Sequence, residues 1–171
     1  MGKIAAAIWV VVLYILNSVF VQIISVNGHM PDLLLAFLVV FSFMKRRFSA
    51  VSYMTIICAL LNGAITGRVF LVVAMVMGAA GMIAYNSSNY LRFIHEGVRI
   101  AGVTFCMAFI GEVFEHFFAY HTLTISSVLS NALPDAVYTA VVSWIIYLIV
   151  KKTSFKNEDK QLLMIEERVG E

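Results

Sequence analysis

Three ionisable side chains inside a long apolar stretch are the residues of this sequence best suited to proton transfer or ligand binding. Glu112, Glu115 and His116 occur in the segment FIGEVFEHFF. The spacing of Glu112 and His116 puts them on one face of a helix, where they could share a proton or a hydrogen bond. A proton relay or a ligand site would use such a pair. In the alternative interpretation, Glu115 and His116 meet water and Glu112 bonds to a neighbouring helix.

The depth of these residues favours the alternative interpretation. Counted from Arg99 at ~1.5 Å per residue, Glu112 lies about 20 Å and His116 about 25 Å along the helix, near the far side of a membrane. A metal centre in a helical bundle would need a Glu-x-x-His spacing repeated on a second helix, and the step from Glu112 to Glu115 does not give it. We therefore predict no metal and no cofactor.

Sequence motifs of common enzyme classes are absent. The chain has no GxSxG, no HExxH, no phosphate-binding glycine loop and no CxxC pair. Cys58 and Cys106 both lie in apolar runs and are interpreted as packing residues. The few basic clusters suit a membrane surface and give no indication of nucleic-acid binding. We expect a protein that is not an enzyme.

Membrane-spanning helices are the elements that must position these side chains. Of the 171 residues, 61% are hydrophobic and 13% are charged, a balance that a soluble core cannot bury. A span needs about 20 mostly apolar residues. The sequence predicts an all-α polytopic protein with six spans in one bundle, at about 4–26, 31–44, 49–66, 69–85, 100–119 and 126–150. Residues 1–152 form this transmembrane domain and residues 153–171 a cytoplasmic tail.

The basic residues predict the orientation of the spans. With six spans and both termini in the cytoplasm, every one of the 12 lysines and arginines except Arg68 lies on the cytoplasmic side. The first span follows Lys3 directly and is too long for a signal-peptide core, so we interpret it as a retained signal anchor. Leu162, Leu163 and Ile165 in the charged tail favour a frayed or short amphipathic helix.

Two further groups of residues are candidate sites. The first is a helix-packing or partner interface of small and amide residues, whose spacing allows helices to approach closely: Asn62, Gly63, Gly67, Gly78 and Gly81. The second is a polar cluster at the outer side of the membrane: Glu112, Glu115, His116, Asn131 and Asp135. Ser130 or Asn131 could cap a helix that starts just before Pro134, so a break is predicted in the last span.

Four segments carry a resemblance to a known family. They are VFVQIIS with Gln22, MPDLLLAFLVVF, CALLNGAITG and the closing SNALPDAVYTAVVSWIIYLIVKK. In this order they resemble the rod shape-determining protein MreD over nearly the whole chain. The positions that match best are Pro31, Asn62, Gly63 and the Leu133–Pro134 turn. The chain departs from the family at Asn62, where an acidic residue is common.

The resemblance implies a non-enzymatic component of the bacterial cell-wall elongation machinery in the inner membrane. The implied partners are the bitopic scaffold MreC, the filament-forming MreB, and RodA with a penicillin-binding peptidoglycan synthase. The family fold is similar to the substrate-binding subunits of energy-coupling-factor transporters. A vitamin transporter subunit is therefore the alternative function, with a pocket lined by Glu112, His116, Asn131 and Asp135.

The first span argues against that alternative. Transporter subunits of this kind carry small residues four apart in their first span, whereas here Ala5, Ala6 and Ala7 are followed at that spacing by Trp9, Val10 and Val11. An intramembrane enzyme is a third alternative, and it would depend on Glu112 and His116 as its acid and base.

Overall fold

The computed structural model describes residues 11, 12, 14, 15, 29–44, 48–66, 70–90, 94–120, 126 and 128–169, and its regular elements there are helices. We number the helices α1 (Leu33–Met44), α2 (Phe48–Thr66), α3 (Phe70–Tyr90), α4 (Glu96–Tyr120) and α5 (Leu133–Val169), with a π-helical turn at Val128–Ala132 before α5. The predicted all-helical class is confirmed. Of the expected first span, 4–26, all but four residues lie outside the described residues.

Helix α1 occupies the centre of the bundle. Its residues from Leu33 to Ser42 are buried, and it packs against each of the other four helices. A helix that is apolar on every side is expected to be enclosed by its neighbours. With 12 residues, α1 is about 18 Å long.

Consecutive helices run in opposite directions, while α1 and α5 run parallel. Asp32, just before α1, contacts Asn62 near the end of α2 and Thr139 near the start of α5. Arg99 near the start of α4 lies over the Phe43 ring near the end of α1. The bundle therefore has two ends. We call them the Asp32 end, with the starts of α1 and α5, and the Glu96 end, with the start of α4.

The outer faces of the helices are apolar. Two segments of 23 residues, Glu96–Phe118 and Ser130–Lys152, are long and apolar enough to cross a membrane, and the other helices contain shorter apolar runs. Large apolar side chains point outward on several helices, among them Tyr53, Met75, Val98, Phe114, Val141 and Ile149. The core of the bundle is the region where the other helices pack against α1. The side chains on the outer surface are largely apolar, as those of the core are.

Helix α5 continues past the apolar part of the chain. It runs unbroken for 37 residues, which corresponds to about 55 Å. The sequence predicted a border between span and tail at residue 152, and the backbone passes through that border as one helix. A break was predicted in the last span. The structure has a π-helical turn at Val128–Ala132 that leads directly into α5, with Pro134 in the first turn of α5.

Candidate functional site

Asp32 starts the central helix. Its Oδ1 accepts a hydrogen bond from Leu35 N at 2.9 Å, and its carbonyl oxygen accepts one from Ala36 N at 3.0 Å. This is the bonding of a helix N-cap, which satisfies N–H groups that have no partner within the helix. The buried Pro31 precedes it and has no N–H of its own to satisfy. The Pro-Asp pair therefore fixes where α1 begins.

The second Asp32 oxygen joins α1 to α2. Asn62 Nδ2 donates to Asp32 Oδ2 at 2.7 Å, and Asn62 is almost fully buried. The Asp32 backbone N–H also donates to Thr139 Oγ1 at 3.1 Å, and that hydroxyl donates in turn to the Asp135 carbonyl at 2.8 Å. Asp32 thus connects three helices through its side chain and its backbone.

Asp135 holds the residues that precede α1. Its Oδ1 lies 3.0 Å from His29 Nδ1 and accepts a hydrogen bond from Met30 N at 3.1 Å. The side chains of His29 and Asp135 are 26% and 20% exposed, so the pair lies partly out of solvent. The chain entering α1 is therefore fastened to the first turn of α5.

These contacts form one set, which we call the polar network: His29, Met30, Asp32, Asn62, Asp135 and Thr139. Charge-assisted bonds from N–H groups to a carboxylate are stronger than bonds between neutral groups, and shielding from water strengthens them further. Within the described part of the chain, no three His, Cys, Asp or Glu side chains lie close enough to hold a metal ion. The arrangement can hold helices in register.

The residues of the predicted outer polar cluster take different positions. Asp135 belongs to the polar network. Glu112, Glu115 and His116 are half-buried on α4, and His116 Nδ1 lies 3.3 Å from the Glu112 carbonyl oxygen, so the expected link between them uses the backbone. Asn131 is exposed in the π-helical turn.

The predicted interface residues also separate. Asn62 and Gly81 are internal: a Cβ on Gly81 would lie 2.5 Å from Thr55 Oγ1, so α2 and α3 touch there. Gly78 faces open space, with nothing within 4 Å of its Cβ position. Gly63 is half-buried on α2, and Gly67 lies outside the described residues. Gly78 therefore offers a notch on the outer surface, and Gly81 offers none.

Sequence reasoning missed four members of the polar network: His29, Met30, Asp32 and Thr139. A signal for two of the helix starts was present, because Met-Pro-Asp-Leu before α1 and Leu-Pro-Asp-Ala at the start of α5 repeat one pattern. In both, a proline without an N–H precedes an aspartate able to cap or bind N–H groups. No sequence pattern indicated that the two Pro-Asp pairs would lie side by side.

The Glu96 end carries a second group of polar contacts. Tyr147 Oη donates to Glu96 Oε2 at 2.6 Å, and Lys151 Nζ lies 3.3 Å from the same oxygen and 2.8 Å from Tyr147 Oη. We call Glu96, Tyr147 and Lys151 the α4–α5 clamp. Nearby, the buried Arg99 donates from Nη1 to the Ser87 carbonyl oxygen at 3.2 Å. This bond gives a partner to one of the carbonyl groups in the last turn of α3.

Comparison of the whole chain with protein-family models, with curated proteins and with solved structures finds no match. Function must therefore be inferred from the contacts of the described residues. The most extensive of these is the polar network, a junction of three helices inside a bundle with an apolar outer surface.

Proposed function

We propose that this chain is a six-span inner-membrane protein that acts without catalysis in the bacterial cell-wall elongation machinery, in the manner of MreD. In this role it holds a bitopic scaffold similar to MreC in place beside RodA and a penicillin-binding synthase, with an MreB-like filament on the cytoplasmic side. Both termini are placed in the cytoplasm.

The observation that carries the proposal is the position of two segments on which the resemblance rests. Pro31 and the Leu133–Pro134 turn were selected on sequence, and each adjoins a member of the polar network. Residues that meet at one junction are expected to be retained together, because loss of one leaves the others without partners. The convergence supports a common fold for this chain and the proteins it resembles.

Membrane insertion is supported by the surface of the bundle. Apolar side chains cover the outer faces, where water would make them costly and lipid would not. Arg99 and Lys151 lie at the Glu96 end, whereas Asp32 and Asp135 lie at the other. An excess of basic residues at one end favours the cytoplasm for that end. Asp32 then lies about 18 Å from the cytoplasmic side, in the outer half of the bilayer.

The docking surface that we propose for the scaffold is the outer face of α3. Leu71, Met75 and Met82 are 60%, 65% and 53% exposed, and the open Gly78 lies between them on the same side of the helix. A notch at a glycine lets a second helix approach closely, and methionine adapts its shape to a partner. A single spanning helix of the scaffold fits this α3 outer face.

Filling the notch tests this surface. Gly78→Leu adds a side chain where nothing else is in contact, so the bundle should fold, while the MreC-like scaffold should co-purify at least about tenfold less, as expected when a close helix contact is lost. The measurement is affinity purification from the native host in mild detergent, with mass spectrometry of proteins and small molecules.

Gly102→Leu is the matched control. Gly102 on α4 is exposed and also has nothing within 4 Å of its Cβ position, so this variant adds the same volume on another face and should keep the scaffold. Equal scaffold recovery from the two variants would reject the α3 outer face. Recovery of an ATPase module with a bound vitamin, and of no wall-synthesis protein, would reject the proposed function in favour of transport.

A further inference from the structure

We propose that Arg99 binds the phosphate group of an anionic phospholipid from the cytoplasmic leaflet. Arg99 lies three residues after the first residue of α4, which is about 4.5 Å along the helix from the Glu96 end of the bundle. Its side chain is 9% exposed, so a headgroup reaches it at the edge of the bundle. This inference uses the membrane orientation proposed above and does not depend on which proteins the chain binds.

The contacts of Arg99 leave part of its guanidinium group without a partner. Nη1 donates to the Ser87 carbonyl oxygen at 3.2 Å, and Cζ lies 5.4 Å from the centre of the Phe43 ring. Nε is buried and has no hydrogen-bond partner within the described part of the chain. Because an arginine is rarely buried without a negative charge beside it, a counter-ion is expected here.

The protein has one carboxylate near Arg99, and that carboxylate is bonded to other side chains. Of the ten Asp and Glu residues, four lie toward the Asp32 end and five follow residue 157, which leaves Glu96. Its Oε2 accepts a hydrogen bond from Tyr147 Oη at 2.6 Å and lies 3.3 Å from Lys151 Nζ. The described residues therefore give Arg99 no hydrogen-bonded counter-ion.

Phospholipid headgroups are the anions at hand where Arg99 lies. Seven basic residues belong to the Glu96 end by their positions in the sequence, against Glu96 as the one acid: Lys45, Arg46, Arg47, Arg92, Arg99, Lys151 and Lys152. Such an excess attracts the anionic lipids of the cytoplasmic leaflet. A guanidinium group binds phosphate through paired N–H bonds. A free phosphate ion offers the same oxygens, and the experiment separates the two sources.

Native mass spectrometry of the full chain measures which lipid stays bound. The protein in mild detergent is mixed with equal amounts of phosphatidylglycerol and phosphatidylcholine that have the same acyl chains. The native protein should retain phosphatidylglycerol at least about tenfold more, the ratio expected when a charge-assisted hydrogen bond is gained at a shielded site. An excess of inorganic phosphate should leave this lipid in place. Equal retention of the two lipids, or displacement by inorganic phosphate, would overturn the proposal.

Three variants make the test specific. Arg99→Gln removes the charge and keeps an amide N–H for the Ser87 carbonyl, so the lipid preference should fall to about twofold or less. Arg99→Lys keeps the charge without the paired N–H groups and should keep a reduced preference. Lys152→Gln removes an exposed charge from the same end and should change the ratio less than about threefold.

A native preference in Arg99→Gln, or its loss in Arg99→Lys or Lys152→Gln, would also overturn the site. Recovery of the scaffold is a separate measurement. Failure of lipid retention with the scaffold still recovered would reject the lipid site and leave the proposed function standing.

Discussion

Carboxylates join helices at both ends of the bundle, but they bond to different kinds of group. At the Asp32 end, the two aspartates accept hydrogen bonds from backbone N–H groups and from a buried amide. At the Glu96 end, the clamp carboxylate bonds to the tips of two long side chains, and Glu96 and Lys151 are 55% and 38% exposed. Short, buried contacts fix backbone positions, whereas exposed side chains can shift with little loss.

This comparison assigns different roles to the two ends. Loss of an Asp32 contact leaves buried groups without partners, which costs more than the bond itself contributes. Loss of the Glu96–Lys151 contact leaves groups that water can reach. We therefore expect the Asp32 end to dominate stability and the Glu96 end to adjust the angle between α4 and α5.

The largest effect is expected for Asp32→Ala. The change removes the N-cap of α1 and leaves the Asn62 amide without its carboxylate partner, so the free energy of unfolding should fall by about 2 to 4 kcal/mol. Equilibrium unfolding in mixed detergent micelles would measure it. Glu96→Ala is the matched variant at the other end and should cost under about 1 kcal/mol. Equal losses in the two variants would contradict the comparison.

A smaller, pH-dependent effect is expected for Asn62→Asp. The new carboxyl group would lie at the Asn62 amide position, 2.7 Å from Asp32 Oδ2, and the two oxygens can bond only while they share a proton. The variant should therefore be near native stability in acid and should lose about 2 kcal/mol as the pH rises toward 8, because both groups then ionise. Thermal unfolding across that pH range is the measurement.

The neutral control for this experiment is Asn62→Ser, which is destabilising but introduces no titrating group. Its deficit should be the same at every pH. A deficit of Asn62→Asp that also stayed constant with pH would show that the Asp32 side chain is not held beside position 62.

The smallest effect is expected for Tyr147→Phe. The variant loses the 2.6 Å bond to Glu96 and keeps the ring, and Lys151 remains close to the carboxylate, so the free energy of unfolding should fall by about 0.5 to 1 kcal/mol. Tyr53→Phe, on a ring that is 71% exposed, serves as the control and should change stability less. Tyr147 is 3% exposed, so a loss as large as that of Asp32→Ala would mean that burial of this hydroxyl outweighs the exposure of Glu96 and Lys151.

The class of fold was predictable from sequence, while the site was not. Long apolar runs separated by charges indicate helices whatever their neighbours are, because backbone bonds within a helix are local. Asp32 looked like an ordinary helix start, since its N-cap bond is local too. Its contacts with Asn62 and Thr139 depend on how helices are arranged. Asp32 and Thr139 are 107 positions apart, and the sequence between them carries no pattern that specifies that arrangement.

The glycines of α3 also have surroundings that could not be predicted from sequence. Gly78 and Gly81 lie in one segment and look equivalent in sequence, yet Gly81 faces Thr55 of α2 and Gly78 faces outward. The two glycines are three residues apart and lie on different sides of α3. The sequence does not show which of these sides packs against α2, so it cannot tell the internal glycine from the outward-facing one. The tail was predicted as a frayed or short amphipathic helix but not as a continuation of α5, because its charges end the apolar run at residue 152.

The short central helix has a consequence for how the protein is made. At about 18 Å, α1 is too short to cross a hydrocarbon core of about 30 Å alone. Its Asp32 waits for Thr139, which is synthesised 107 residues later, so a ribosome adding about 5 to 20 residues per second leaves the contact unmade for on the order of 5 to 20 s. During biosynthesis, the start of α1 therefore exists for several seconds without the α5 contact that it has in the folded protein.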